Sequence, residues 1–296
     1  MPDTPASPTP PNPVADWPRP LAFVLSGGGA FGSVQIGMIR ALLERDVRPD
    51  LIVGTSAGAL HGAVLADRPD DCVDALSQLW SRADRQSVFG GRINSISSMV
   101  RNRTLSDGRR LGALIDASLR ATEFGQLGTP FAAVATDAVT GEPELLCDGA
   151  LRPALLASAA VPGLLPAVEI DGRRYVDGGV SANVPIRQAI AFGAASVISL
   201  DATPSVVATT APRSFSGGLL HSASLMLRNQ RSHAVDEIAH RYRIGVLPSP
   251  TPSDMGSFNF TRTAELLESS YALTIDVLDA WSHDAALGDQ DPTQRS

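Results

Sequence analysis

Two periods of apolar spacing run along this chain, and the changeovers between them mark out its elements. Leu21-Ala22-Phe23-Val24-Leu25 and Leu51-Ile52-Val53 are short continuous apolar runs, the pattern of strands buried on both faces. Between them Val34, Met38 and Leu42, with Ile39 and Leu43, recur at helical spacing. Residues 21–53 therefore predict a strand, a glycine loop, a helix and a second strand, a βαβ crossover. With the two strands parallel, both following loops leave the same carboxyl edge of the sheet.

From Asp67 to about Phe124 the pattern is helical. Val73, Leu76, Leu79 and Trp80 share one face, and Leu111, Leu114, Ile115 and Leu119 another. Gly90-Gly91 and a stretch rich in Ser, Arg and Asn separate them, so the segment about 67–124 reads as a helical cap inserted beside that edge. Phe131 to Thr136 and Glu144 to Cys147 are strands around a turn at Thr140-Gly141-Glu142, and Leu151 to Val161 is a short helix stopped by Pro162-Gly163. Val168-Glu169-Ile170 and Arg174-Tyr175-Val176 flank Asp171-Gly172 as a hairpin. A helix over Ile186 to Phe192 and a strand over Ala195 to Leu200 follow. Beyond Asp201, Thr203 to Gly218 reads as a mobile loop and His221 to Arg241 as a polar helix; Ile244 to Leu247 is a last strand, and a helix from about Thr261 covers the sheet.

Composition narrows the class. The 296 residues are 44% hydrophobic, enough for one α/β domain, here taken as 21–283. A formal charge of −7 without a long basic run excludes a nucleic-acid partner and a strong electrostatic grip on anionic membrane. Transient contact with a membrane surface stays open. Residues 1–20 are crowded with Pro and lack the basic-then-apolar order of a signal peptide, so they read as a disordered tail; 284–296 should fray. No apolar run reaches the roughly 18 residues of a spanning helix. With Cys72 and Cys147 too few for a framework and read as buried small hydrophobes, the expectation is a soluble cytoplasmic protein. The oligomeric state is not legible.

Candidate chemistry sits at the loop ends. Gly54-Thr55-Ser56-Ala57-Gly58 lies between a strand and an Ala-rich helix, the context of a nucleophile elbow with Ser56 at its tip. Gly54 and Gly58 let the backbone turn and neighbours approach. Gly27-x-Gly29-x-x-Gly32 also satisfies the dinucleotide fingerprint, but the second strand runs into the elbow rather than to a ribose-binding acid. The same glycines ahead of a helix N-terminus can hold an oxyanion instead, with Gly27, Gly28 and Gly29 beside Ser56 and Gly32 closing the loop. Among four Asp-Gly pairs, Asp177 alone follows a strand and precedes Gly178-Gly179, which should leave its carboxylate approachable. His61 is five residues beyond Ser56 on the same helix and faces away; His221, His233, His240 and His283 lie on polar or terminal stretches. Without a usable His, Asp177 must act as the base, its proton affinity raised by partial burial. The chain predicts a Ser56–Asp177 dyad.

Gly27-Gly28-Gly29-Ala30-Phe31-Gly32, Gly54-Thr55-Ser56-Ala57-Gly58 and Asp177-Gly178-Gly179, in this order, resemble the three motifs of the patatin-like phospholipase family. Ser158-Ala159-Ala160-Val161-Pro162 and Asn183-Val184-Pro185 resemble two further blocks of it. The resemblance implies a three-layer α/β/α sandwich with a mostly parallel sheet, Ser56 as nucleophile, Asp177 as base, and an oxyanion hole lined by Gly27, Gly28 and Gly29. It implies hydrolysis of acyl esters of lipids with no cofactor and no metal. Phe31 stands where many members carry Arg or Lys, which leaves open whether the ester is a charged phospholipid or neutral. A serine-dependent acyltransferase would use the same elbow, and a non-catalytic lipid-binding protein would keep the pocket.

Overall fold

The computed structural model describes residues 12–82, 108–203, 238–250 and 262–288. Strand β1 (Leu21–Leu25) leads through a 3-10 turn at Gly29–Gly32 into α1 (Ser33–Glu44), and β2 (Leu51–Thr55) leads directly into α2 (Ala57–Asp67). Helices α3 (Cys72–Arg82) and α4 (Arg109–Ser118) precede β3 (Phe131–Asp137) and β4 (Pro143–Leu146). Then come α5 (Leu151–Ser158), the hairpin β5 (Val168–Ile170) and β6 (Arg173–Asp177), α6 (Gly179–Ala182), α7 (Ile186–Ala191), β7 (Ser196–Leu200), β8 (Arg243–Leu247) and α8 (Thr263–Gly288).

The strands form one sheet in the order β5-β6-β3-β2-β1-β7-β8, with β4 paired to β3. From β3 to β8 the pairs are parallel, and β4, β6 and β5 add antiparallel pairs at the other end. The crossover expected for residues 21–53 is present, with Ala22 opposite Leu51 and Leu25 opposite Gly54. Because side chains alternate across a strand, Leu21, Phe23 and Leu25 face one apolar layer and Ala22 and Val24 the other. The first layer holds α1, α2 and α8, and the second holds α7, so helices cover both faces and the sandwich is three layers deep. The Asp171-Gly172 turn has φ of 50° and 77° at its central residues, the geometry that closes a two-residue hairpin.

Several expectations need correction. Residues 12–20 are packed rather than disordered: Val14 and Trp17 are buried, the Trp17 ring packs at a tilt against Trp281 with centroids 5.2 Å apart, and Arg243 lies over its ring. Pro-rich composition suggested a tail, but two apolar side chains with a groove to fill outweigh it. Backbone helix continues to Gly288, past the expected fraying point at 284. Cys147 is exposed, just beyond β4, which among the described residues pairs with β3 alone. Of the helical cap, α3 and α4 pack into the main core through Leu76, Trp80, Leu111 and Ile115. The Gly90-Gly91 stretch, residues 1–11, the loop from 204 to 218, most of the polar helix 221–241 and residues 289–296 lie outside the described residues.

Candidate active site

Ser56 sits where β2 meets α2, at φ 55° and ψ −120°, a backbone conformation that non-glycine residues rarely hold. Such a position costs on the order of 1–3 kcal/mol and survives only when its surroundings over-determine it. The surroundings do. A Cβ on Gly54 would run into the first turn of α2, and one on Gly58 into the carbonyls of Leu25 and Ser26, so both glycines are required by close approach. The Ser56 N–H donates to Ser158 Oγ at 2.9 Å, and that hydroxyl donates to the Val134 carbonyl at 2.6 Å. Thr55 Oγ1 donates to the Ala182 carbonyl at 2.9 Å, which ties the end of β2 to α6.

Asp177 ends β6 and is 6% exposed, so it is buried rather than laid open by its glycines. Those glycines have other roles. A Cβ on Gly178 would overlap the Val134 carbonyl, and the Gly179 N–H donates to Asp177 Oδ1 at 2.7 Å. The backbone of Asp177 is held at both ends: its N–H donates to the Ala160 carbonyl at 2.9 Å, and its carbonyl accepts from Thr136 Oγ1 at 2.9 Å. Asp177 Oδ2 is buried and makes no hydrogen bond among the described residues. Burial pushes the carboxyl up to about 6, against opposing hydrogen-bond contributions from the Gly179 N–H and from Ser56. Ser56 is thus the side chain whose proximity favours the ionised form.

In the glycine loop the three predicted donors are not equivalent. The Gly27 N–H already donates to the Asn183 carbonyl at 3.0 Å, and Gly27 is buried, which removes its amide from the expected hole. Its Cα instead lies against Ser56, where an added Cβ would come within 3.4 Å of the Ser56 Cβ. Gly28 and Gly29 are partly exposed and open the 3-10 turn. Gly32 faces Trp80, His61 and Ala57 too closely for a side chain. Phe31 is 2% exposed and belongs to the main core.

The histidines stay apart from this geometry. His61 is buried, with Nδ1 at 2.7 Å from Gln35 Oε1 and Nε2 accepting the Trp80 N–H at 2.6 Å; burial lowers it to about 3. His240 and His283 are exposed, and His221 and His233 lie outside the described residues. Among the described residues no three His, Cys, Asp or Glu side chains converge on a point that could hold a metal. Sequence reasoning missed Ser158 and Gln35 as parts of the site. Ser158 was legible only as part of a block resembling the family's, and Gln35 was hidden among the apolar positions of α1.

The family profile described as patatin-like phospholipase matches residues 23–190, more than half of the chain. The chain belongs to the patatin-like phospholipase family. Relatives of this patatin-like chain include lysophospholipase NTE1 of Mycosarcoma maydis, 26% identical over 90% of this chain and 15% of that protein. Patatin-like phospholipase domain-containing protein 7 of Rattus norvegicus is 31% identical over 61% of this chain and 13% of its own length. An uncharacterized NTE family protein of Mycobacterium tuberculosis is 31% identical over 62% of this chain and 30% of its own. The patatin-like chain therefore spans less than a third of the length of these relatives. Among solved structures, VipD from Legionella pneumophila aligns over 89% of this chain and 67% of its own, with 18% identity and a TM-score of 0.47. ExoU from the type III secretion system of Pseudomonas aeruginosa aligns over 92% of this chain and 53% of its own, with 16% identity and a TM-score of 0.40.

Proposed function

We propose that this chain is a serine lipid acyl hydrolase, with Ser56 as nucleophile and Asp177 as the base that serves it. One observation carries the reading: a serine held in a strained elbow conformation beside a buried carboxylate whose Oδ2 has no hydrogen-bond partner among the described residues. A carboxylate near its ordinary pKa is a poor base for a hydroxyl, and a pKa near 6 brings Asp177 closer to the working range. Names of relatives such as lysophospholipase NTE1 agree with the substrate class.

In the reaction Ser56 Oγ attacks the acyl carbonyl carbon while its proton passes to Asp177 Oδ2. The tetrahedral oxyanion is taken up by the N–H groups of Gly28 and Gly29, with the N-terminal end of α1 behind them. Collapse expels the alcohol, which leaves with the proton from Asp177, and an acyl ester remains on Ser56. Water then attacks that ester, again giving its proton to Asp177, and the carboxylic acid departs as the proton returns to Ser56. The sum is one ester and one water converted to one acid and one alcohol.

Among the described residues no helix is long and apolar enough to cross a membrane. On this reading the chain acts in the cytoplasm, meets its substrate in solution or by transient contact with a lipid surface, and uses no cofactor. Hydrolysis of a panel of lysophospholipid, phospholipid and neutral acyl esters tests the reading. Ester cleavage by wild type, lost in Ser56→Ala, is the expected result. Acyl transfer to an added alcohol in preference to water would favour an acyltransferase. Binding of lipid with no turnover of any ester would overturn the enzyme reading.

A further inference from the structure

Beneath the glycine loop runs a chain of buried polar groups drawn from three helices. Trp80 of α3 donates its indole N–H to His61 Nε2 at 2.6 Å. His61 of α2 meets Gln35 Oε1 through Nδ1 at 2.7 Å, and Gln35 of α1 donates through Nε2 to the carbonyls of Ser26 and Leu200, both at 2.9 Å. His61 and Gln35 have no exposed surface. A glutamine and a histidine in a packed apolar layer are costly unless their hydrogen bonds are satisfied, and here each bond is made.

The direction of every bond follows from the first. An indole N–H is only a donor, so His61 Nε2 must hold a lone pair and the ring's one proton sits on Nδ1. That proton can go only to an acceptor, so the Gln35 oxygen faces His61 and its NH2 group faces the two carbonyls. A neutral His61 is the form this arrangement requires, in keeping with its lowered proton affinity. The far end of the chain is the peptide that enters the glycine loop. Its oxygen, on Ser26, accepts from Gln35, and its N–H, on Gly27, donates to the Asn183 carbonyl at 3.0 Å. The Ser26–Gly27 peptide plane is therefore clamped from both sides, one bond before Gly28.

We propose that Gln35 is a positioning residue for the glycine loop, its amide oriented by Trp80 through His61. The proposal rests on the reading of Ser56 and the loop given above: what Gln35 positions is the approach of Gly28 and Gly29 to the oxyanion. Catalytic hydrogen bonds are sensitive to displacements well under an ångström, so loss of the clamp should slow the chemical step and leave substrate binding alone.

Four measurements on the full chain test this. Nitrogen-15 NMR of the imidazole should find the His61 proton on Nδ1 near neutral pH; a proton on Nε2 would overturn the relay. Gln35→Met, similar in length and without donors, should lower kcat by about tenfold to a hundredfold with KM unchanged; a folded variant with wild-type kcat would overturn the positioning role. His61→Asn keeps a donor where Nδ1–H stands, and His61→Leu does not. Both leave space against Trp80, so a merely structural effect would affect them alike, whereas the relay predicts a markedly higher kcat for Asn than for Leu. That pair decides the matter if Gln35→Met fails to fold. A wild type with no turnover would instead overturn the Ser56 reading. The clamp is then judged by hydrogen exchange at the Gly27 N–H, faster in Gln35→Met if Gln35 holds this peptide and unchanged if it does not.

Discussion

The hydroxyl of Ser158 accepts the backbone N–H of Ser56 at 2.9 Å. The Ser158 carbonyl in turn accepts the N–H of Gly178 at 3.2 Å, and the Ala160 carbonyl accepts that of Asp177 at 2.9 Å. One short stretch at the C-terminal end of α5 thus holds the backbones of both proposed catalytic residues. Ser158→Ala removes the acceptor for the part-buried Ser56 N–H and orphans the buried Val134 carbonyl, so a loss of about 1–3 kcal/mol in stability is expected. Because the Ser56 backbone is strained, kcat should fall further than stability alone explains. Denaturant titration beside steady-state kinetics checks both.

Activity should have an acid limb set by Asp177. The base works only when ionised, and burial places its transition near pH 6. Below that point kcat/KM is expected to fall about tenfold per pH unit. A pH–rate profile flat down to about 4, the ordinary aspartate range, would contradict the assignment of Asp177 as a buried base.

The same group makes the fold less stable as pH rises. Its folded pKa of about 6 lies above the unfolded 3.8, so the folded chain binds the proton more tightly between those values and loses stability as the carboxyl ionises. Asp177→Asn should therefore stabilise the protein by about 3 kcal/mol at pH 7 and leave it nearly unchanged below pH 4. Thermal melts at both pH values measure the difference. Activity and stability move in opposite directions in this one variant, as expected for a site that stores an unfavourable charge.

Parts of this site were legible because their causes are local. A five-residue apolar run, a turn that tolerates only small residues and a helix at 3.6 spacing are all encoded within β1 to α2. Asp177 could be chosen among four Asp-Gly pairs because it alone joins a preceding strand to a second glycine, Gly178-Gly179, rather than to a turn. What escaped was set by partners far away in the chain. The Gly27 amide looks free in sequence, but it is taken by Asn183, whose place beside the loop depends on β7 and α6 closing around it. His61 was read as facing away from the elbow, while its partners Gln35 and Trp80 lie 26 and 19 positions away. Residues 12–20 read as a tail because Pro dominated their composition, although Trp17 fills a groove against Trp281 and Gly245.

That groove gives a further prediction. Trp17 is 5% exposed, and Trp17→Ala should cost about 3–5 kcal/mol. A variant as stable as wild type in chemical denaturation would restore the disordered-tail reading for 12–20.

Gly178 separates close approach from flexibility. Its φ of −61° suits any residue, so only the missing side chain matters. Gly178→Ala forces a methyl group onto the Val134 carbonyl and should destabilise by about 1–3 kcal/mol while displacing Asp177. Chemical denaturation, run beside ester hydrolysis, should find both stability and turnover reduced.

The most direct test of the central claim is covalent labelling with a fluorophosphonate, with the modified residue located by peptide mass spectrometry in wild type, Ser56→Ala and Asp177→Asn. The account predicts a single adduct on Ser56 in wild type, none in Ser56→Ala, and strongly slowed labelling in folded Asp177→Asn. An adduct on another residue, or labelling of Asp177→Asn at the wild-type rate, would contradict the dyad.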